Sequence, residues 1–229
     1  MFLSDRDLKN LAMEFQLVTP FKPENCAGAT IDLTLDTKIK KYISGEPIVL
    51  GKEITEDMYI EVDISKEDFY LQPSESVLIK SHEYFKVPVD KLAIIPERYS
   101  VKLTGLMISP ASYMNPGYQG KLSFLAVNHS SVPIRLLPGI KFTQLAVAQL
   151  TSESDKPYGK QDAKYMGSVD VSISKLHLDN EIQEFLVSKG ITNVSSDTAR
   201  ELGNHLVEMM KKSASKIADE LREKLGDPS

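Results

Sequence analysis

Hydrophobic and polar residues alternate in short runs between about residue 27 and residue 150. In the run 29–35 every second residue is apolar, and the residues between them are threonine or aspartate. A period of two puts successive side chains on opposite faces of a strand, so this run predicts a half-buried β-strand. Further strands are predicted at 69–72, 76–79, 91–96, 122–127, 134–136 and 142–147. Because proline and glycine separate these short runs, the pattern predicts a mainly β fold, either a barrel or a sandwich.

Helical patterns flank this β region. Ser4 is a favoured N-cap residue with acidic residues after it, which predicts a short helix over roughly residues 4–14. Asp179–Asn180 can cap a second helix that ends at Lys189–Gly190, and Ser196–Asp197 can start a third, longer one. We therefore divide the chain into a β domain, residues 1–178, and a helical C-terminal extension, residues 179–229.

Charge and composition narrow the class of protein. The net charge of −5 argues against a general nucleic-acid-binding surface, but it leaves room for a small basic pocket that holds a triphosphate. Cys26 is the only cysteine, so the sequence excludes an intrachain disulfide and a cysteine-rich metal site. Neither a signal peptide nor an apolar run near the ~18 residues of a membrane span is visible. We expect a cytoplasmic protein that binds neither nucleic acid nor a membrane.

The densest motif runs from Met114 to Asn128, where a Pro116–Gly117 turn leads into a strand. Six other segments accompany it in a fixed order: Leu3–Leu8, Gly28–Leu35, Phe69–Leu78 with Pro88–Leu92, Arg98–Leu106, Pro138–Ile140 with Gln144–Leu145, and Pro157–Tyr158 with Asp162–Gly167. In this order and spacing they resemble the dCTP deaminases of the dCTP deaminase and dUTPase superfamily, over about the first 178 residues. The resemblance implies a distorted β-barrel or jelly roll of the dUTPase-like type, assembled as a homotrimer with active sites between subunits.

Two carboxylates of the family pattern are missing from the run 114–128. Asn115 stands where the family has an Asp before Pro-Gly, and Leu125 stands where the deaminases have a Glu. Removal of the C4 amino group of cytosine needs an activated water and a group that carries protons, and leucine can do neither task. Phe124 and Ala126 are expected to point to the other face of the strand, so they cannot replace the acid.

Two more departures lie in the segment that resembles the family's Arg-Ser-Ser phosphate segment. Tyr99 stands where the family's serine would hold the catalytic water, and its bulk would fill that space. Leu103 lines up with the family's next arginine, although Lys102 is adjacent. Asn115 can position a sugar hydroxyl but cannot act as a base at neutral pH.

What remains of the family pattern favours binding. Arg98 and Ser100 can hold phosphate oxygens, because arginine offers a bidentate fork. The candidate nucleotide-binding residues are Arg98, Ser100, Lys102, Ala111, Asn115, Tyr158, Lys164 and Tyr165, of which the last two would close over the triphosphate as a lid. No catalytic residue is assigned, and Asp32 is the best surviving candidate.

Each candidate also has a plainer interpretation. Asp32 can be a polar residue at the end of a strand pair. Arg98 can form a structural salt bridge with Glu97 or Glu83, and the lid can be a surface segment without a ligand. Tyr118 is expected to pack rather than to stack on a base. The four histidines, at 82, 129, 177 and 205, have no metal-ligand spacing and are expected at the surface or at strand ends.

Three functions fit this pattern. The first is a deoxynucleotide-binding, dCTP deaminase-like pseudoenzyme with a degraded catalytic site, acting in regulation or scaffolding. The second is an active dCTP deaminase or dUTP/dCTP diphosphatase, with Asp32, Glu97 or Lys102 recruited to catalysis. The third is a structural trimer that displays its C-terminal helices to a protein partner. The first two imply dCTP or dUTP as the ligand, with Mg²⁺ bound through the triphosphate rather than by a metal site of the protein.

Overall fold

The computed structural model describes residues 1–43, 45, 47–109, 112–191, 207–211 and 213. These residues belong to two compact units. The first unit comprises Met1–Gly45 and Thr55–Ile173, and the second comprises Glu46–Ile54 and Ser174–Ser229.

Within the described residues, the first unit holds two α-helices and fifteen strands. Its helices are α1 (Asp5–Phe15) and the single-turn α2 (Tyr99–Lys102). The strands are β1 (Val18–Thr19), β2 (Cys26–Ala27), β3 (Thr30–Thr34), β4 (Lys38–Tyr42), β5 (Tyr59–Asp63), β6 (Phe69–Leu71), β7 (Ser76–Lys80), β8 (Tyr84–Lys86), β9 (Lys91–Ile95), β10 (Leu106–Ile108), β11 (Ser112–Met114), β12 (Gln119–Gly120), β13 (Ser123–Asn128), β14 (Ile134–Leu136) and β15 (Lys141–Gln149).

Two five-stranded antiparallel sheets carry this unit. The first has the order β10-β13-β7-β4-β5, and the second has the order β11-β9-β15-β3-β2. Two smaller sheets, β1-β8-β12 and β14-β6, complete it. Each large sheet keeps two edge strands, so neither closes on itself as a continuous barrel. The predicted mainly β fold is confirmed.

A hydrophobic core forms because the strands alternate as the sequence predicts. In β3 the side chains of Ile31 and Leu33 are buried, and the residues between them are half-buried. Both large sheets contribute to one apolar cluster, in which the ring of Phe124 on β13 meets the ring of Phe142 on β15 edge to face, with centroids 5.4 Å apart. Aromatic pairs favour this geometry. The core therefore fixes which face of each strand points outward.

The N-terminal helix lies close to its predicted position. It runs from Asp5 to Phe15 and ends at Gln16, which adopts the left-handed conformation with φ 59°. Ser4 occupies the N-cap position, but its hydroxyl donates to Asp7 Oδ2 at 3.0 Å and makes no capping bond to the backbone. The acidic residues of the first turn still stabilise this helix end, because their charge interacts favourably with the helix dipole.

The second unit contains a helix, α3 (Asn180–Ser188), preceded by a 3₁₀ turn at Leu176–Leu178. Asp179 is its N-cap residue and Gly190 has φ +70°, so the predicted start and stop signals are confirmed. Gly51 packs so closely on this helix that a Cβ there would lie 2.5 Å from Ile182 Cγ2. Residues 207–211 are helical, and the rest of the predicted third helix lies outside the described residues.

The alternation along β13 gives a stability prediction. The Phe124 side chain is 2% exposed and that of Leu125 is 42% exposed. Phe124→Ala should lower the free energy of unfolding by about 3–5 kcal/mol, because it leaves a cavity between the sheets. Leu125→Ala should cost less than about 1 kcal/mol. Urea denaturation of both variants measures the contrast, and equal losses would show that the outward position of Leu125 is wrong.

Candidate functional site

Asp32 lies at the centre of a cluster of charged and polar side chains on the second sheet. It sits in the middle of β3, directly opposite Gln144 of β15, whose amide donates to Asp32 Oδ1 at 3.0 Å. Lys141 Nζ lies 3.2 Å from Asp32 Oδ2, and Arg98 Nε lies 3.6 Å from Oδ1. The Asp32 side chain is only 15% exposed, so two cations compensate a largely buried carboxylate.

Arg98 reaches this cluster from the N-terminal end of α2. Its carbonyl accepts the amides of Val101 and Lys102, which holds the backbone in a tight turn. Neither of the salt-bridge partners expected from the sequence is the one observed. Glu83 instead accepts the backbone amide of Thr34 at 3.0 Å and its hydroxyl at 2.6 Å, and Glu97 lies 3.8 Å from Lys102. The Arg98 partner is Asp32, which is distant in sequence but adjacent in space.

Four other residues of the α2 segment point to solvent. Ser100 and Lys102 are exposed, and Tyr99 and Leu103 are each 68% exposed. In the single chain the ring of Tyr99 is turned outward, and the expectation that it fills the space of a catalytic water stays a prediction. Leu103, which the sequence aligns with an arginine of the family pattern, is one of these exposed residues, and the turn offers Arg98 and Lys102 as its cations.

Leu125 lies in an apolar patch on the outer face of the first sheet. Its neighbours Phe124 and Ala126 are buried, as predicted for alternating side chains. Leu125 is paired with Leu78 across β7, and Met107 of β10 is paired with Val127. Residues directly opposite one another share a face of a sheet. We call Leu78, Met107, Leu125 and Val127 the outer apolar patch, and none of the four can exchange a proton.

The predicted lid follows the turn and strand that contain Asn115. The Tyr158 amide donates to Pro116 O at 2.7 Å, the Gly167 amide to Gln119 O at 2.8 Å, and the Lys121 amide to Ser168 O at 2.7 Å. Gly120 permits this approach, because its φ is +145° and a Cβ there would lie 3.1 Å from the Ser168 backbone. The structure thus brings Asn115, Tyr158, Lys164 and Tyr165 into one region.

Tyr118 and Tyr158 form the floor of this region. Their ring centroids are 5.5 Å apart, and the Tyr118 hydroxyl donates to Lys121 O at 2.8 Å. Tyr118 is 5% exposed, so its expected packing role is confirmed. Burial, with a smaller contribution from Tyr158, raises the pKa of Tyr118 well above its usual range. The Tyr158 hydroxyl accepts the Tyr165 amide at 3.3 Å and thereby ties the lid to the floor.

A buried lysine anchors the end of the lid. Lys80 Nζ donates to Val169 O at 2.9 Å and lies 3.4 Å from Asp170 Oδ1, and its side chain is 5% exposed. It also lies 3.7 Å from Asp36, which accepts Lys121 Nζ at 2.7 Å. Burial by itself would raise the pKa of Asp36, but the hydrogen bonds from Lys121 and the Thr37 amide, with the charge of Lys80, outweigh it and lower that pKa.

The candidate residues therefore fall into two groups. Asp32, Arg98, Ser100 and Lys102 belong to the first, with Lys141 and Gln144 beside them. Asn115, Tyr158, Lys164 and Tyr165 belong to the second. Ala111 lies outside the described residues. The sequence interpretation did not include Lys141 or Lys80, because each is a lysine in a strand and nothing in the local pattern distinguishes them from surface lysines.

The described residues contain no group of three or more His, Cys, Asp or Glu side chains placed to hold a metal ion. His177 was expected at the surface and is instead buried, 8% exposed, in the second unit. Its Nδ1 has no hydrogen-bond partner within the described part of the chain. The described helices are also too short or too polar for any of them to cross a membrane.

Comparison with known proteins identifies the family. A sequence model described as dCTP deaminase-like matches residues 2–150. The "dCTP deaminase, dUMP-forming" of Methanopyrus kandleri is 30% identical over 189 residues, covering 77% of this chain and 96% of that protein. The Thermobifida fusca protein of the same description is 32% identical, covering 78% of this chain and 94% of its own length. The chain therefore belongs to the dCTP deaminase-like family.

Structural comparison agrees on the fold. The crystal structure of 2'-deoxycytidine 5'-triphosphate deaminase from Agrobacterium tumefaciens superposes with a TM-score of 0.52 at 17% sequence identity. The match covers 64% of this chain and 48% of that chain, so this chain spans about half of its length. At this identity the likeness shows the fold alone. The predicted membership of the dCTP deaminase and dUTPase superfamily is confirmed.

The charge network behind the lid predicts a pH dependence. The folded-state pKa of Asp36 is lowered, so its ionised form stabilises the fold. This contribution is fully present above the unfolded-state pKa of ~3.9 and is lost as the pH falls through the lower folded-state pKa. Asp36→Asn should therefore lower the free energy of unfolding by about 2–4 kcal/mol at pH 7. The difference from the unmodified protein should shrink as the pH is lowered below ~4.

Denaturant melts between pH 3 and pH 7 measure this difference. Asp68→Asn is the control, because the Asp68 side chain is 57% exposed and pairs with Arg135 at the surface. It should change stability by less than about 1 kcal/mol. A loss in Asp36→Asn that stays constant across the pH range would contradict the assigned role of the carboxylate.

Proposed function

We propose that this protein binds a pyrimidine deoxynucleoside triphosphate, dCTP or dUTP, and does not deaminate it. It would then act as a regulatory or scaffolding member of the dCTP deaminase-like family. The observation that carries the proposal is the contrast between the candidate phosphate-binding residues and position 125. Arg98, Ser100 and Lys102 keep donors for phosphate oxygens, whereas position 125 presents leucine within the outer apolar patch.

In this proposal each candidate residue has a binding role. Arg98, Ser100 and Lys102 hold the phosphates, and Asn115 holds the sugar hydroxyl. Tyr158, Lys164 and Tyr165 close over the triphosphate, and the backbone near Ala111 contacts the base edge. The two groups lie on different parts of the first unit. The family resemblance implies a homotrimer. In such a trimer one subunit would supply the phosphate-binding residues and a neighbouring subunit would supply the lid.

Mg²⁺ would enter this site with the nucleotide. Asp32, the largely buried carboxylate among the candidate phosphate-binding residues, already faces two cations and a glutamine amide. This donor set does not suit a divalent cation held by protein oxygens, which needs several free carboxylates or carbonyls. The phosphate oxygens of the ligand would bind the metal, and the protein would bind the complex through its cationic side chains.

Deamination at C4 requires a group that takes a proton from water and delivers it to the leaving nitrogen. The alternation along β13 leaves Phe124 and Ala126 in the core, so neither of them faces the outer side of the sheet with Leu125. Asn115 is an amide and cannot act as the base. The proposal therefore separates the family's binding function, which is retained, from its proton transfer, which is lost.

An active deaminase or diphosphatase is the second candidate, and the comparisons favour it. Several relatives that are about 30% identical over nearly their whole length are described as "dCTP deaminase, dUMP-forming". For this candidate a carboxylate other than the family's must serve as the base. Asp32 and Glu97 are the acids nearest the candidate phosphate-binding residues, although each already faces a cation.

Titration calorimetry with dCTP and dUTP in the presence of Mg²⁺ tests the proposal. The unmodified protein should bind at least one of them, and Arg98→Met should weaken that binding by about tenfold or more, because it removes a charge-assisted contact to phosphate. Arg135→Met is the matched control, since the Arg135 side chain is 46% exposed and also pairs with an aspartate. Its affinity should stay within about twofold of that of the unmodified protein.

Product analysis of the same mixtures separates the two candidates. The proposal predicts that ammonia and pyrophosphate do not accumulate. Release of either product, abolished by Asp32→Asn, would establish the active enzyme and end the pseudoenzyme proposal. Absence of binding to every nucleotide would contradict both candidates.

A further inference from the structure

A β-bulge in β15 places Lys141 beside the Asp32 cluster. In the pairing with β3, Lys141 lies opposite Thr34 and Thr143 lies opposite Leu33, so β15 advances two residues where β3 advances one. The extra residue is Phe142. Its side chain and that of Thr143 are both buried, which breaks the alternation of the strand at this point.

The bulge decides which way Lys141 points. Gln144 lies opposite Asp32, so these two side chains share a face. Lys141 is three residues from Gln144, and in a regular strand an odd separation would place it on the opposite face, toward the core. The extra residue reverses the direction in which the side chain of Lys141 points, so Lys141 lies on the same face as Thr34, Asp32 and Gln144. Bulges often turn a side chain toward a functional site in this way.

The cluster contains two cations, Arg98 and Lys141, and only one carboxylate, Asp32, among the described residues. Among the described residues, Asp32 is the only carboxylate within 4.0 Å of either Arg98 or Lys141. The closest approach of Arg98 to Asp32, from Nε to Oδ1 at 3.6 Å, is an ion pair too long for a hydrogen bond. The side chains of Arg98 and Lys141 are 38% and 34% exposed, so their remaining donors are within reach of a ligand from solvent.

We propose that Lys141 and Arg98 form a two-cation subsite for the phosphate groups of the ligand, with Asp32 as its internal counter-ion. This inference rests on the proposed nucleotide binding and adds to it a residue outside the α2 turn. A phosphate oxygen anion takes the place of solvent between the two cationic groups. Asp32 holds both cations on one side of the sheet and repels the incoming anion, so it sets the affinity of the subsite.

A buried hydroxyl without a partner lies directly after the extra residue. The Thr143 hydroxyl is buried and has no hydrogen-bond partner among the described residues. A buried polar group without a partner destabilises a fold, and such groups are uncommon in native proteins. A regular strand without the extra residue would not direct Lys141 to the Asp32 face, so the bulge supplies the second cation of the cluster.

Calorimetric titration with inorganic tripolyphosphate, and separately with dCTP, tests the subsite on the full-length protein. Lys141→Met should weaken the binding of both ligands by about tenfold, because it removes a charge-assisted contact to phosphate. Lys141→Arg should stay within about threefold of the unmodified protein, since it keeps the charge. Lys38→Met is the matched control, because Lys38 is also a strand lysine, 42% exposed and 2.6 Å from a carboxylate.

Asp32→Asn tests the counter-ion. It should tighten tripolyphosphate binding by about threefold or more at low salt, and this gain should shrink as salt rises, because charge repulsion is screened. A structural role alone would instead weaken binding in this variant. Circular dichroism and the melting temperature of each variant verify that it is folded before the affinities are compared.

The outcomes separate this inference from the proposed function. Equal affinity of Lys141→Met and the unmodified protein for both ligands, with dCTP still bound, overturns the subsite and leaves nucleotide binding standing. Tripolyphosphate binding that depends on Lys141, without any nucleotide binding, supports the subsite and overturns the proposed ligand. Weaker binding in Asp32→Asn overturns the role of Asp32 as a competing counter-ion.

Discussion

The phosphate-binding part of the site depends on one constraint. The negative charge of the Asp32 carboxylate must be compensated by its neighbours. A largely buried charge is costly unless it is paired, and here a lysine, an arginine and a glutamine amide surround it. Because these partners come from β15 and the start of α2, one carboxylate draws together three parts of the chain. It holds the cations in position, and the same contacts make it a poor candidate for a catalytic base.

The second constraint is the register of β13. Phe124 and Ala126 are committed to the core, and this commitment fixes Leu125 on the outer face beside Leu78, Met107 and Val127. Proton transfer at that position would need a different side chain rather than a different conformation. The descriptions of the relatives concern proteins about 30% identical to this one, and similarity of fold at that level does not supply the missing acid.

Much of the fold could be predicted from local pattern. The run 29–35 alternates cleanly and forms β3, and Gly190 ends α3 as a left-handed residue. β4 was missed because its sequence, KIKKY, has one aliphatic residue among lysines. The structure buries Lys40 there to 8% side-chain exposure and pairs it with Glu56 at 2.6 Å. Such a strand is stabilised by a long-range ion pair that no local window contains.

The site shows the same limit. The motifs located Asp32, Arg98 and the lid, since each lies in a recognisable segment. The partner of Arg98 could not be predicted, because Asp32 is 66 residues away and Glu97 and Glu83 are nearer in sequence. Lys141 depends on a bulge, and the sequence marks that bulge only by the change from even to odd apolar positions between Phe142 and Leu145. His177 was assigned to the surface on residue type alone, and the second unit buries it.

A crystal structure of the protein grown with dCTP and Mg²⁺ tests the central claim most directly. The account predicts intact dCTP, with phosphate oxygens on Arg98 and Lys141, and no carboxylate within hydrogen-bonding distance of the C4 amino group or of a water beside it. A deaminated base in the site would contradict the account. So would a carboxylate, from the same or a neighbouring subunit, positioned on such a water.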